Sequence, residues 1–193
     1  MKNRAVFLDR DGTINVDVGY PSRVEQIEIY SSSFEAVRRI KAAGFLAVIV
    51  TNQSGVGRGF LTEADLANIH GYVRSEFAAR GIRLDGIYYC PHYDLSSEPE
   101  YRKNCSCRKP EPGLALRAAA DLDIDLRRSY MVGDKVEDVL FGIAIGATPV
   151  LVRTGYGAAS EKSLAGMDIR IGAVADDLLE AVTWILGQPP PKK

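Results

Sequence analysis

Asp9-Arg10-Asp11-Gly12-Thr13 sets two carboxylates two residues apart, directly after the apolar run Ala5-Val6-Phe7-Leu8. At that spacing one carboxylate can attack phosphorus and carry the phosphoryl group, which makes Asp9 the candidate nucleophile. Asp11 is then the candidate acid and base, protonating a leaving oxygen and later deprotonating an attacking water. Gly12 permits the tight turn this needs. The same residues also read as a polar turn after a strand, so the segment alone does not decide. Three further segments offer what a transferring phosphoryl group requires. Thr51-Asn52-Gln53-Ser54-Gly55 supplies a hydroxyl, amides and exposed backbone N–H groups as neutral donors. Arg108-Lys109-Pro110 supplies two cations. Gly133-Asp134-Lys135-Val136-Glu137-Asp138 supplies oxygen ligands for a hard cation, with Asp134 foremost. Magnesium takes only one or two protein carboxylates and completes its shell with phosphate and water. Lys135 suits a second anionic group. Glu137 favours a helix N-terminus, and Asp138 is expected to support the ligands or cap that helix rather than bind metal.

Cys90-Pro91-His92 and Cys105-Ser106-Cys107 bring three thiols and an imidazole together in sequence. An odd number of cysteines argues against a disulfide framework. Four such ligands (Cys90, His92, Cys105 and Cys107) saturate a tetrahedral zinc and leave no position for water, so the site reads as structural. Zinc there pins the loop that leads into Arg108 and Lys109. The alternative is three free thiols and an incidental histidine. His70 has no cysteine or carboxylate cluster beside it in sequence and reads as a surface or helix-packing residue. Trp184 and the tyrosines read as packing.

Placing these groups together requires short strands that end at one edge. Apolar runs at 5–8, 46–50, 87–89, 130–132 and 150–152 alternate with helical patterns, and 169–171 is expected to be a sixth strand. Helices are expected over 34–43, from the N-cap Thr62 to about Arg80, from Pro112 through Leu122, from about Val136, and from Asp176 to Leu186. Unbroken apolar strands alternating with helices give an α/β, Rossmann-like three-layer sandwich around a central parallel sheet. Ligands in such sheets bind at the carboxyl ends of strands, where all the candidate phosphoryl residues fall. The 193 residues suit one domain over 1–187, followed by a tail from 188 that the prolines keep from continuing a helix. A net charge of −1 offers no global field toward nucleic acid or anionic membrane. No apolar run approaches the ~20 residues of a membrane span. A cytoplasmic monomer is the expectation.

The order Asp9-x-Asp11-Gly12-Thr13, Thr51, Lys109, Gly133-Asp134 is similar to that of the haloacid dehalogenase superfamily of aspartate-nucleophile phosphatases. Residues 9–15, 51–55, 88–92, 107–110 and 131–138 more closely resemble its histidinol-phosphate and heptose-bisphosphate phosphatase branch. The resemblance implies Asp9 as nucleophile, Asp11 as acid and base, and magnesium held by Asp9, the Asp11 backbone and Asp134. It implies Thr51 and Lys109 on the phosphoryl group. Substrate contacts are implied for Asp17, Val18, Gly19, Tyr20, Asn52, Gln53, Ser54, Arg108 and Lys135. Gln53-Ser54-Gly55 followed by Arg58-Gly59 resembles the heptose side of the branch, so a small phosphorylated sugar is the implied substrate and histidinol phosphate the alternative. The branch has no separate cap domain, and only about 40 residues separate Asp9 from Thr51 here. A receiver-type signalling domain also uses a phospho-accepting Asp with Thr and Lys. It places that Asp on a middle strand, where this chain has none. A zinc-dependent binding module is a third class, but no aromatic and basic stripe suits nucleic acid.

Overall fold

The computed structural model describes residues 2–189. The elements run β1 (Ala5–Leu8), α1 (Ser31–Ala42), β2 (Leu46–Asn52), α2 (Glu63–Ala78), β3 (Gly86–Cys90), α3 (Gly113–Leu122), β4 (Tyr130–Gly133), α4 (Val136–Ala144), β5 (Thr148–Val152), α5 (Gly157–Leu164), β6 (Ala173–Ala175) and α6 (Leu178–Leu186). All neighbouring strands pair in parallel, in the order β3-β2-β1-β4-β5-β6.

Alternation along each strand builds two cores. Val6, Leu8, Ala47, Ile49, Val132 and Val150 face α1, α2 and α6. Ala5, Phe7, Val48, Val50 and Met131 face α3 and α4. The apolar runs are unbroken because both faces of the parallel sheet are covered. The expected three-layer sandwich is what forms, and loops rather than a separate cap wall the strand ends among the described residues. The strand order also removes the receiver reading, whose sheet follows 2-1-3-4-5.

β1 lies between β2 and β4. The chain winds one way from β1 to β3, then crosses back to β4. The crevice at that reversal is where open α/β sheets take ligands. Asp9 leaves β1 there and Asp134 leaves β4 beside it.

The sixth strand differs from expectation. Residues 173–175, not 169–171, pair with β5. Ile169 and Ile171 pack instead against a small cluster of Val139, Leu151 and Leu164. Their apolar character is spent on covering that patch, without a ladder. Helix α5 was not expected, since its sequence GAASEKSL carries a weak apolar stripe. Cys90 belongs to the end of β3 rather than to the following loop. Of the tail, Gln188 still bonds to the carbonyls of Ile185 and Trp184, and residues 190–193 lie outside the described residues.

Helix α2 begins as its sequence dictates. The Thr62 hydroxyl accepts from the Asp65 N–H at 3.1 Å, and the Asp65 carboxylate accepts from the Thr62 N–H at 2.8 Å. Thr62→Ala removes the side chain that caps Asp65 N–H and is expected to cost about 1 kcal/mol. For a domain of this size that lowers Tm by about 2–4 °C. Thermal melts check this, and an unchanged Tm contradicts it.

Candidate active site

The strand ends open into a cleft of about 540 Å³, within the range of small-molecule sites. Asp9, Asp11, Thr51, Asn52, Gln53, Ser54, Arg108, Lys109 and Lys135 all line it, with Asp17, Gly19 and Tyr20 from the loop after β1. Val18 does not line it and is half-exposed.

Lys109 is the centre of the charge arrangement. The residue is 3% exposed, and its ammonium donates to Asp9 Oδ1 at 2.8 Å, to Asp138 Oδ1 at 2.5 Å and to the Val50 carbonyl at 2.9 Å. Asn52 fixes the backbone of Lys109 from both sides, accepting from its N–H at 3.0 Å and donating to its carbonyl at 3.1 Å. The amide of Asn52 is therefore committed to placing Lys109. Burial opposes the Lys109 charge, yet Asp138 and Asp9 carry its pKa above the ordinary lysine range.

Three carboxylates, Asp9, Asp134 and Asp138, lie with ligand oxygens within 4.8 Å of one another. Burial pushes Asp9 up to about 6 despite Lys109, with Asp138 adding to the rise. Burial likewise pushes Asp134 up to about 8, reinforced by Asp9 and Asp138. The set carries more negative charge than Lys109 balances. Asp134 Oδ1 is buried with no hydrogen-bond partner among the described residues, while Oδ2 accepts from the Tyr156 N–H at 2.8 Å. A Cβ at Gly12 or at Gly155 would run into the Asp134 carboxylate, so both positions need glycine. An unpartnered buried oxygen among clustered carboxylates is what a divalent cation fits. Asp138 does cap α4, accepting from the Lys135 N–H at 3.0 Å, and it also pairs with Lys109.

Asp11 is held by a second network. Asn15 Nδ2 donates to its Oδ1 at 3.0 Å and Gln53 Nε2 to its Oδ2 at 2.8 Å. Arg10 donates to both oxygens, at 3.1 and 2.9 Å. Burial works against the Asp11 carboxylate, but Arg10, Asn15 and Gln53 hold it below the usual range. Gln53 also donates to Thr51 Oγ1 at 2.9 Å, so its amide organises Asp11 and Thr51. Among the remaining expected substrate contacts, Lys135 pairs with Asp17 at 3.0 Å, and Arg108 reaches the His92 carbonyl at 3.5 Å.

The sequence reading missed several lining residues, among them Tyr156 and Ser160, and it took Arg58, which also lines the cleft, only as a mark of the branch. The Arg58 guanidinium sits 3.7 Å from the Tyr93 ring centroid, tying the loop after β2 to the cysteine loop. Of the two readings of His70, burial removes the surface one and leaves helix packing: it is 8% exposed on the inner face of α2, and its Nε2 also lies 3.2 Å from Arg10 Nη1. Helical spacing from Leu66, Ile69, Val73 and Phe77 signalled its inward position. Arg10 was legible too: it continues the alternation of Val6 and Leu8 toward α2.

The sulfur and imidazole groups converge as expected. Cys107 Sγ lies 3.1 Å from Cys90 Sγ, 3.3 Å from Cys105 Sγ and 3.2 Å from His92 Nδ1. No two of the cysteines form a disulfide. Soft ligands closing on one point suit a zinc-type ion.

The family model "HAD-hyrolase-like" matches residues 106–181. A Pasteurella multocida protein named D-glycero-beta-D-manno-heptose-1,7-bisphosphate 7-phosphatase is 47% identical over 153 residues, covering 79% of this chain and 83% of that protein. The Escherichia coli K12 protein of the same name is 49% identical over 152 residues, covering 78% and 80%. The crystal structure of D,D-heptose 1.7-bisphosphate phosphatase from B. bronchiseptica, complexed with magnesium and phosphate, superposes with a TM-score of 0.81 at 32% identity, covering 95% of this chain and 98% of that one. With its parallel sheet, its Asp-x-Asp at the switch point and these relatives, the chain belongs to the D-glycero-β-D-manno-heptose-1,7-bisphosphate 7-phosphatase family of haloacid dehalogenase-like phosphate-ester hydrolases.

Proposed function

We propose that this chain hydrolyses the 7-phosphate of D-glycero-β-D-manno-heptose 1,7-bisphosphate, giving heptose 1-phosphate and phosphate through a phosphorylated Asp9, on the way to nucleotide-activated heptose. The observation that carries the reading is Asp9 itself: a buried carboxylate at the mouth of β1, one oxygen held by Lys109, the other making no hydrogen bond to the described residues. The relatives' shared name supports the β anomer.

Asp9 Oδ2 attacks phosphorus while Lys109 holds Oδ1 and fixes the direction of approach. The Thr51 hydroxyl and the Ser54 backbone N–H meet the phosphoryl oxygens, the Gln53 N–H being committed to the Cys90 carbonyl, and Lys109 offsets their charge. Asp11 gives a proton to the departing sugar oxygen, then takes one from the water that cleaves the acyl phosphate. Asp17, Gly19, Tyr20, Ser54, Arg108 and Lys135 bound the space for the sugar and its distal phosphate. Magnesium, which Asp9, the Asp11 backbone carbonyl and Asp134 would hold, supplies charge neutralisation of the transferring group. Residues 1–187 act as one phosphatase domain in this reading, monomeric and cytoplasmic. The test is single turnover with the β anomer followed by acid quench and peptide mass spectrometry. Phosphate on the Asp9 peptide is expected; phosphate elsewhere, or none at any quench time, contradicts the route.

The same reading gives zinc a structural role at Cys90, His92, Cys105 and Cys107, ahead of Arg108 and Lys109. Native mass spectrometry of protein purified without chelator is expected to find one bound zinc. Stripping it should lower activity, and magnesium alone should not restore it. A zinc-free protein of full activity overturns this role.

A further inference from the structure

Arg10 is fully buried and does not line the cleft. Each of its three nitrogens is used. Nε and Nη2 hold the two oxygens of Asp11, Nη2 also donates to Gln53 Oε1 at 3.0 Å, and Nη1 meets His70 Nε2 at 3.2 Å. A guanidinium can only donate, so His70 Nε2 must be the acceptor and its proton must sit on Nδ1. A charged His70 could not make this contact. Burial, aided by Arg10, holds the imidazole neutral, with a pKa of about 3. The ring is itself fixed by α2 and by Tyr89, whose ring centroid lies 5.4 Å away.

We infer that His70 is a positioning residue for the proposed acid and base: it anchors Arg10, and through Arg10 sets the orientation of the Asp11 carboxyl toward the leaving oxygen. This inference rests on the proposed role of Asp11. The geometry assigns His70 a task that packing alone does not need, because a phenyl ring would fill the same space yet leave Arg10 Nη1 buried without a partner. The bonds from Arg10 to Asp11 and Gln53 then lack the contact that braces the guanidinium from its other end. Positioned proton transfer contributes about 10²–10⁴-fold, and misorientation forfeits part of it.

The experiment compares His70→Phe, which keeps a ring and removes the acceptor, with His70→Gln, which restores an acceptor. Both are assayed with zinc and magnesium in place, on the heptose bisphosphate and on p-nitrophenyl phosphate. The nitrophenolate leaves without needing a proton; the sugar alkoxide does need one. For His70→Phe, kcat/KM on the sugar ester is expected to fall at least about tenfold more than on the nitrophenyl ester, because a lost acid function matters only for the poor leaving group. His70→Gln is expected to recover most of that difference. Equal losses on both esters, or no recovery with Gln, make His70 a packing residue and overturn the inference. Nitrogen-15 NMR of the wild-type protein provides a check that needs no variant to fold: Nε2 must show the unprotonated signature, and a proton found there overturns the inference. A wild type that leaves the heptose ester untouched defeats the substrate assignment instead. The comparison then runs on an alkyl phosphate that the wild type does hydrolyse.

Discussion

Asp9→Asn is expected to lower kcat by at least about 10⁴-fold while leaving the protein folded, because removal of a nucleophile is the largest single loss a covalent mechanism can suffer. Asparagine keeps the shape and still offers an oxygen to Lys109, so binding and packing persist. Its effect on stability has the opposite sign. The pKa of Asp9 in the folded protein, about 6, lies above its ordinary 3.8. The folded state therefore holds the proton more tightly than the unfolded chain. Without magnesium, stability contributed by the protonated form is present below about pH 4 and is lost as pH rises through about 6. Asparagine cannot ionise and escapes that loss. In magnesium-free buffer that leaves zinc in place, Asp9→Asn should melt above the wild type at pH 8, and the gap should close toward pH 4. A variant that melts lower at pH 8 contradicts the charge excess assigned to the site.

Lys109→Met is expected to be damaging in both stability and rate. Methionine fills much of the volume but leaves Asp9 and Asp138, both buried, without the cation between them. Removing one partner of a buried pair costs about 3–5 kcal/mol, or about 10 °C in Tm for a chain of this size. The deficit should shrink at low pH, where the Asp9 carboxylate, raised by burial, protonates, and magnesium should recover part of it by binding only the folded state. The rate should fall a further 10²–10³-fold, as expected when a group facing the developing phosphoryl charge is lost, a range of about that order from comparable deletions. A melt within about 2 °C of wild type at pH 8 contradicts the ion triad.

The sheet, its faces and the strand ends were legible because an apolar run covered on both sides leaves a strong and local signal. Ala5–Leu8 and Leu46–Val50 could hardly be anything else. Asp9, Asp11, Thr51 and Asp134 were legible for a related reason, since each closely follows such a run, whereas Lys109 lies in the cysteine loop far from any strand and was legible from its cationic pair with Arg108 and from the family resemblance. β6 was misplaced because the apolar alternation of 169–171 serves a satellite cluster rather than a ladder, and three residues of Ala-Val-Ala carry little signal. α5 escaped because it is short and weakly amphipathic. Asn52 and Gln53 read as substrate donors, yet their amides are turned to Lys109 and to Asp11. Only tertiary contacts decide where an amide points. The buried pair of Arg10 and His70 joins residues 60 positions apart, a distance that neither helical nor strand periodicity spans.

The central claim is tested most directly by following which phosphate leaves which sugar. With magnesium present, the β anomer of heptose 1,7-bisphosphate should release phosphate from C7 alone, leaving heptose 1-phosphate, with a kcat/KM above that for the α anomer and for histidinol phosphate. Each tenfold of preference corresponds to about 1.4 kcal/mol of differential transition-state binding. Release from C1, or a preference for histidinol phosphate, contradicts the assignment while leaving the chemistry of Asp9 in place.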